Sequence, residues 1–109
     1  MLEIAFTDER EVYTIILSGI ITAKTAHLFE EALEKGGLSC KKQVVLDCGQ
    51  LTTLSSKGIG LLMAYLPYYE DHRISLTLRQ LCPKINAVLV MLGMDRYLNL
   101  QVRSTSSLS

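Results

Sequence analysis

VVLDCGQLTTLSSKGIGLLMAYL, residues 44–66, places two apolar segments on either side of a small polar step, Ser55-Ser56-Lys57-Gly58. The first segment, QVVLDC (43–48), has no polar alternation and reads as a strand covered on both faces. LTTL (51–54) reads as a loop. Residues 59–66 are apolar nearly all round, which predicts a helix beginning near Ser56 and deeply packed at its start. Pro67 has no N–H for the Met63 carbonyl, so a bend at 63–67 or an early helix end is expected.

Working outward, residues 3–7 and 11–18 are rich in β-branched and aromatic side chains, with the charged turn DERE between them. They read as an antiparallel pair. Gly19 and Thr22 mark a change of period. From Ala23 onward, Ala26, Leu28, Phe29, Ala32 and Leu33 form a helical stripe, with Thr22 as N-cap and Gly36-Gly37 as the stop. RISLTL (73–78) alternates as a strand, and PKINAVLVML (83–92) reads as a helix with Pro83 in its first turn and Gly93 at its end. YLNLQV (97–102) is a last strand or edge. The order β-β-α-β-α-β-α-β implies a single α/β domain over residues 1–103. Its central sheet should be mainly parallel, with an antiparallel N-terminal edge. STSSLS (104–109) reads as a frayed tail.

The chain of 109 residues is long enough for one core without disulfides or a metal. Eleven basic residues balance eleven acidic ones, so no basic face for nucleic acid is implied. Three cysteines, Cys40, Cys48 and Cys82, match no zinc or redox spacing and read as buried or semi-buried thiols in a reducing compartment. The N-terminus has no signal-type core, and the longest apolar run, 87–94, is far too short to cross a bilayer. A cytoplasmic location without direct membrane insertion is expected.

Chemistry at the step is limited by what surrounds it. Lys57-Gly58-Ile59-Gly60 lacks the spacing of either a dinucleotide fingerprint or a Walker motif. Ser56 lacks the GxSxG surroundings of a nucleophile elbow. The only histidines, His27 and His72, read as capping or surface residues. No catalytic, cofactor or metal site is therefore expected. A serine at a helix start instead caps it, because its oxygen can accept from an unpaired amide. The same place receives a phosphate well, since free N–H groups and the positive helix end favour an anion.

VVLDCGQLTTLSSKGIGLLM resembles the signature of STAS domains, the anti-sigma-factor antagonist family, where a strand and loop lead to Asp-Ser-Ser/Thr-Gly-Leu-Gly at a helix start. SGIITAKTAHLFEEAL and CPKINAVLVMLGMDRYLNL are similar to the family's first-helix and last segments. The resemblance implies a phosphoacceptor at Ser56, with Ser55 where the family has aspartate and Lys57 where it has serine or threonine. Gly58 and Gly60 match the two glycines. It also implies a non-catalytic antagonist that binds an anti-sigma serine kinase in a partner-switching pathway, with a PP2C-type phosphatase to reverse the modification. The partner surface would comprise Thr53, Leu54, Ser55, Ser56, Lys57, Gly58, Gly19 and Thr22. The alternative is a constitutive STAS adaptor of a phospholipid-transport ABC system or signalling scaffold, with Ser56 unmodified. Edge strands near 3–7 or 97–102 leave weak homodimerisation open.

Overall fold

The computed structural model describes residues 1–103; the tail expected at 104–109 lies outside the described residues. Nine elements follow one another as β1 (Leu2–Asp8), β2 (Val12–Ile21), α1 (Ala26–Gly37), β3 (Gln43–Leu54), α2 (Ser56–Asp71), β4 (Ser75–Leu81), α3 (Pro83–Met91), a 3-10 turn (Met94–Arg96) and β5 (Asn99–Val102). The sheet order is β1-β2-β3-β4-β5, with β1 antiparallel to β2 and every other pair parallel. This is the α/β architecture expected, and β1 and β5 form the two edges.

The strand order has a direct consequence. Each parallel connection moves one strand further in the same direction, and such crossovers share the right-handed sense of βαβ units. All three helices therefore lie on one face. Phe29, Leu33, Leu62, Leu66, Tyr69, Ile85 and Leu89 join Ile15, Leu17, Val44, Leu46, Leu76 and Leu78 in a single core cluster. The alternate residues of the strands, among them Thr14, Val45 and Thr77, point the other way. They sit in one register row across the three middle strands and bury one another without a helix above them. QVVLDC is thus buried on both faces as expected, but helices cover only one of them. Its apolar run reflects a central position in the sheet, where neighbouring strands shield the second face.

LTTL is not a loop: β3 continues to Leu54 and pairs with β2 as far as Ile21. Between Ile16 and Ser18, and again between Gly19 and Ile20, β3 carries one more residue than β2. Each extra residue is a bulge that shifts the alternation, so the buried positions change from Val44, Leu46 and Cys48 to Leu51. Arg103 donates to the carbonyl of Gly49, beside the first bulge, at 2.9 Å.

Further expectations are revised. α1 starts at Ala26, with Thr25 rather than Thr22 preceding it. The Thr25 hydroxyl accepts from the Thr22 amide at 2.8 Å and donates to the Ile20 carbonyl at 3.1 Å, which ties residues 22–25 into a turn. Gly36 and Gly37 are buried inside the last turn rather than beyond it, because Tyr69 and Tyr68 occupy the space a side chain would need. α2 runs past Pro67 to Asp71, so the proline does not end it; Pro67 and Met63 are exposed. Nor is α2 apolar on all sides through burial, since Gly60, Met63 and Ala64 face outward. Among the thiols, Cys48 is buried and Cys82 half-buried, but Cys40 is exposed in a left-handed turn.

Candidate functional site

The carboxyl ends of β2 and β3 and the start of α2 meet at one rim of the domain. The Ser55 amide donates to the Ile21 carbonyl at 2.9 Å, which fixes the end of β2 to the start of α2. Ser55 has extended backbone angles, and its hydroxyl oxygen accepts from the Gly58 amide at 3.3 Å. It is the N-cap, and Ser56 is the first helical residue. The cap reading thus falls on Ser55, leaving the exposed Ser56 outside the capping bond. Replacing Ser55 by alanine is expected to cost about 1 kcal/mol, from loss of the capping bond. Ser56→Ala should stay within about 0.5 kcal/mol. Urea midpoints of the two variants check this, and equal losses would assign the cap wrongly.

Gly58 packs against this junction. A Cβ there would lie 2.7 Å from Leu54 Cδ1 and 2.9 Å from Ile21 Cγ2. Gly60 has nothing within 4 Å of the same test atom, so of the two glycines only the first is required by packing. Gly19 has φ +110° and brings the Met1 carbonyl to 2.1 Å of a would-be Cβ; its own carbonyl accepts from the Thr52 hydroxyl at 3.1 Å. Its place in the fold is explained by the pairing of β1 with β2. Thr22 follows Ile21 on the same rim. Thr53 is exposed, Leu54 half-buried and Lys57 exposed. All eight sequence-selected residues therefore lie at or beside one sheet end.

Beside them is an open cavity of about 330 Å³ whose lining includes Thr53, Leu54 and Ile59 from one side and Lys84, Ile85 and Val88 from α3. The α3 residues carry no motif that reading along the chain could single out. Their signal is topological: parallel strands in sequential order set successive helix starts side by side at the same sheet end. Lys57 and Lys84 stand in the first turns of their helices, and neither first turn has an acidic residue. Each of these helix starts thus carries a lysine beside its positive end. His72 caps the opposite end of α2, about 24 Å from Ser56 along the helix. Its ring stacks on Tyr68, and its Nδ1 is 2.8 Å from the Tyr68 carbonyl. It is not placed to take a proton from Ser56.

No group of three or more potential metal-ligating side chains occurs among the described residues. No helix among them is long and apolar enough to cross a membrane.

A family model described as "Mlab, STAS domain" matches residues 4–102. No curated protein matches the chain. Among solved structures, an anti-sigma factor antagonist from Mycobacterium paratuberculosis is similar at TM-score 0.79 and 20% identity, over 98% of this chain and 90% of that one. An anti-sigma-factor antagonist STAS domain protein from Planctomyces limnophilus gives 0.74 and 17%, over 99% and 96%. The Bacillus cell fate determinant SpoIIAA in its phosphorylated form gives 0.71 and 15%, over 98% and 94%. At these identities the likeness is one of fold. The family match across nearly the whole chain makes this protein a member of the STAS domain family.

Proposed function

We propose that the chain is a non-catalytic anti-sigma factor antagonist that binds a serine kinase in a partner-switching pathway and is switched by phosphorylation at Ser56. The observation that carries this reading is the division of labour between the two serines. Ser55 accepts the helix-capping bond, while Ser56 is exposed at the first helical position. A phosphate on Ser56 would meet the positive helix end, with Lys57 as the adjacent cation. It would reverse the charge of the rim formed by Thr53, Leu54, Lys57 and, further back, Gly19 and Thr22. A partner docked on the unmodified rim would then face repulsion and desolvation at the centre of its contact. A PP2C-type phosphatase would restore the first state. No cofactor takes part.

A second reading is favoured by the Mlab description of the matching family and by Lys57. Here the same rim is a constitutive docking surface of a STAS adaptor in a transport ABC system, and Ser56 stays unmodified. The exposed lysine on a positive helix start then serves an acidic patch of a permanent partner.

Affinity capture from source-cell extract with ATP, using wild type and Ser56→Ala as baits, separates the two. The switch predicts a kinase-type ATPase on both baits and one added phosphate, in intact mass, on wild type alone. An unmodified bait holding one transporter ATPase in both forms would replace it with the adaptor reading. Hydrolysis of a generic ester by pure protein, lost in Ser56→Ala, would overturn the non-catalytic assignment.

A further inference from the structure

Five of the ten large apolar side chains exposed among the described residues share one face: Met63 on α2, Val88 and Met91 on α3, and Leu92 and Tyr97 just after it. Met91 is 85% exposed. The two helices flank a groove along their length, with the 330 Å³ cavity at one end and a second of about 230 Å³ between Met63, Pro67, Glu70, Leu92 and Tyr97 at the other. A monomeric surface rarely leaves an apolar stripe of this kind without a use.

The charges on this face have a direction. α2 has no charged residue between Lys57 and Glu70, and α3 is uncharged from Ile85 to Met91. Lys57 and Lys84 sit in the first turns, and Glu70 and Asp71 close α2. Neither helix has an acidic residue in its first turn or a basic one in its last. Both helices return antiparallel to parallel strands, so their dipoles point the same way. The side chains reinforce those dipoles rather than offsetting them. Arg73 and Arg96, beyond the helix ends, are the opposing charges.

We propose that this face binds a second copy of the chain about a two-fold axis, with α2 and α3 lying antiparallel to their counterparts. A two-fold operation sets the Lys57 end of α2 against the partner copy's Glu70-Asp71 end, and the apolar middle against itself. Along α2 the face is thus self-complementary in charge, which a surface of one sign would not be; α3, with no acidic end, contributes apolar surface. A specific interface needs about 800 Å² per partner. The exposed apolar side chains supply only the centre of such an area, so association is expected to be weak.

Sedimentation velocity of the unmodified full chain, from a few micromolar to several hundred, reads this directly and does not depend on the role of Ser56. The mass should rise from one chain towards two. Met91→Glu, at a position too exposed to disturb the core, should weaken association at least tenfold while leaving the thermal melt unchanged. Lys57→Glu should weaken it as well, and adding Glu70→Lys with Asp71→Lys should restore it, since both ends of α2 are then reversed. A wild type that stays monomeric throughout would overturn the proposal and leave the face to a different protein. A dimer indifferent to Met91→Glu would equally overturn it and move the contact to an edge strand, β1 or β5.

Discussion

Gly36→Ala is expected to destabilise the protein by about 2–3 kcal/mol, although alanine is the better helix former by about 1 kcal/mol. The position lies in the last turn of α1, where a Cβ would be 2.6 Å from the Tyr69 hydroxyl, 3.1 Å from Val44 Cγ1 and 3.5 Å from Ile15 Cδ1. Tyr69 is buried, and its hydroxyl donates to the Leu33 carbonyl at 2.7 Å. The phenol is held at both ends and cannot retreat while keeping that bond. Overpacking costs about 1–3 kcal/mol, and loss of a buried hydrogen bond a similar amount, which together exceed the gain in helix propensity. Tyr69→Phe removes the clashing atom. Gly36→Ala should therefore cost markedly less in the Tyr69→Phe background, where only the 3.1 Å approach to Val44 Cγ1 is left to relieve, a strong departure from additivity. Gly60→Ala is the matched control. Nothing lies within 4 Å of its would-be Cβ, so it should stabilise by about 0.5–1 kcal/mol. Urea midpoints of the four variants decide the matter, and a stabilised Gly36→Ala single variant would refute the packing account.

The same pair of residues shows where reading along the chain runs out. Gly-Gly after an amphipathic stripe has the form of a helix stop, and only the position of two tyrosines thirty-odd residues away makes it a packing requirement. Element order was legible because each apolar run is bounded by Gly, Pro or charged punctuation. That was enough to identify a parallel sheet with one antiparallel edge. LTTL was misread because two bulges break the period of two on which strand reading depends. The unbroken apolar run of QVVLDC gives its burial on both faces, but not what covers the second face, because sequential right-handed crossovers put every helix on one side. At the rim, Ser55 and Ser56 could be seen to lie at a helix start. Which of them caps depends on a backbone turn, and the contribution of Lys84 and Val88 depends on the neighbouring crossover. Local chemistry was visible, and its assembly from separate elements was not.

Raising the pH above about 9 is expected to remove several kcal/mol of stability, with Cys48 as the largest identifiable source. Its thiol is pushed up to about 12, first by burial and then by the nearby Asp47 carboxylate, with Arg103 acting in the opposite direction. Burial likewise raises the Tyr69 hydroxyl. Both groups are favoured neutral in the folded chain, so the unfolded chain releases their protons first. Their stabilising contribution is complete below the unfolded values, about 9 for the thiol and 10 for the phenol, and is lost as pH climbs towards the folded ones. Each pH unit in that window costs about 1.4 kcal/mol per group. For Cys48 alone this is about 2 kcal/mol by pH 10.5. Urea unfolding under reductant at half-unit steps from pH 8 to 10.5 should show stability falling from pH 9. Cys48→Ala will lower the whole curve through its cavity, but the informative quantity is slope: between pH 9.5 and 10.5 it should be shallower by about one proton's worth. Equal slopes in the two proteins would mean that the Cys48 thiol ionises as readily in the folded chain as in the unfolded one, and that the sheet centre beneath Arg103 is open to water.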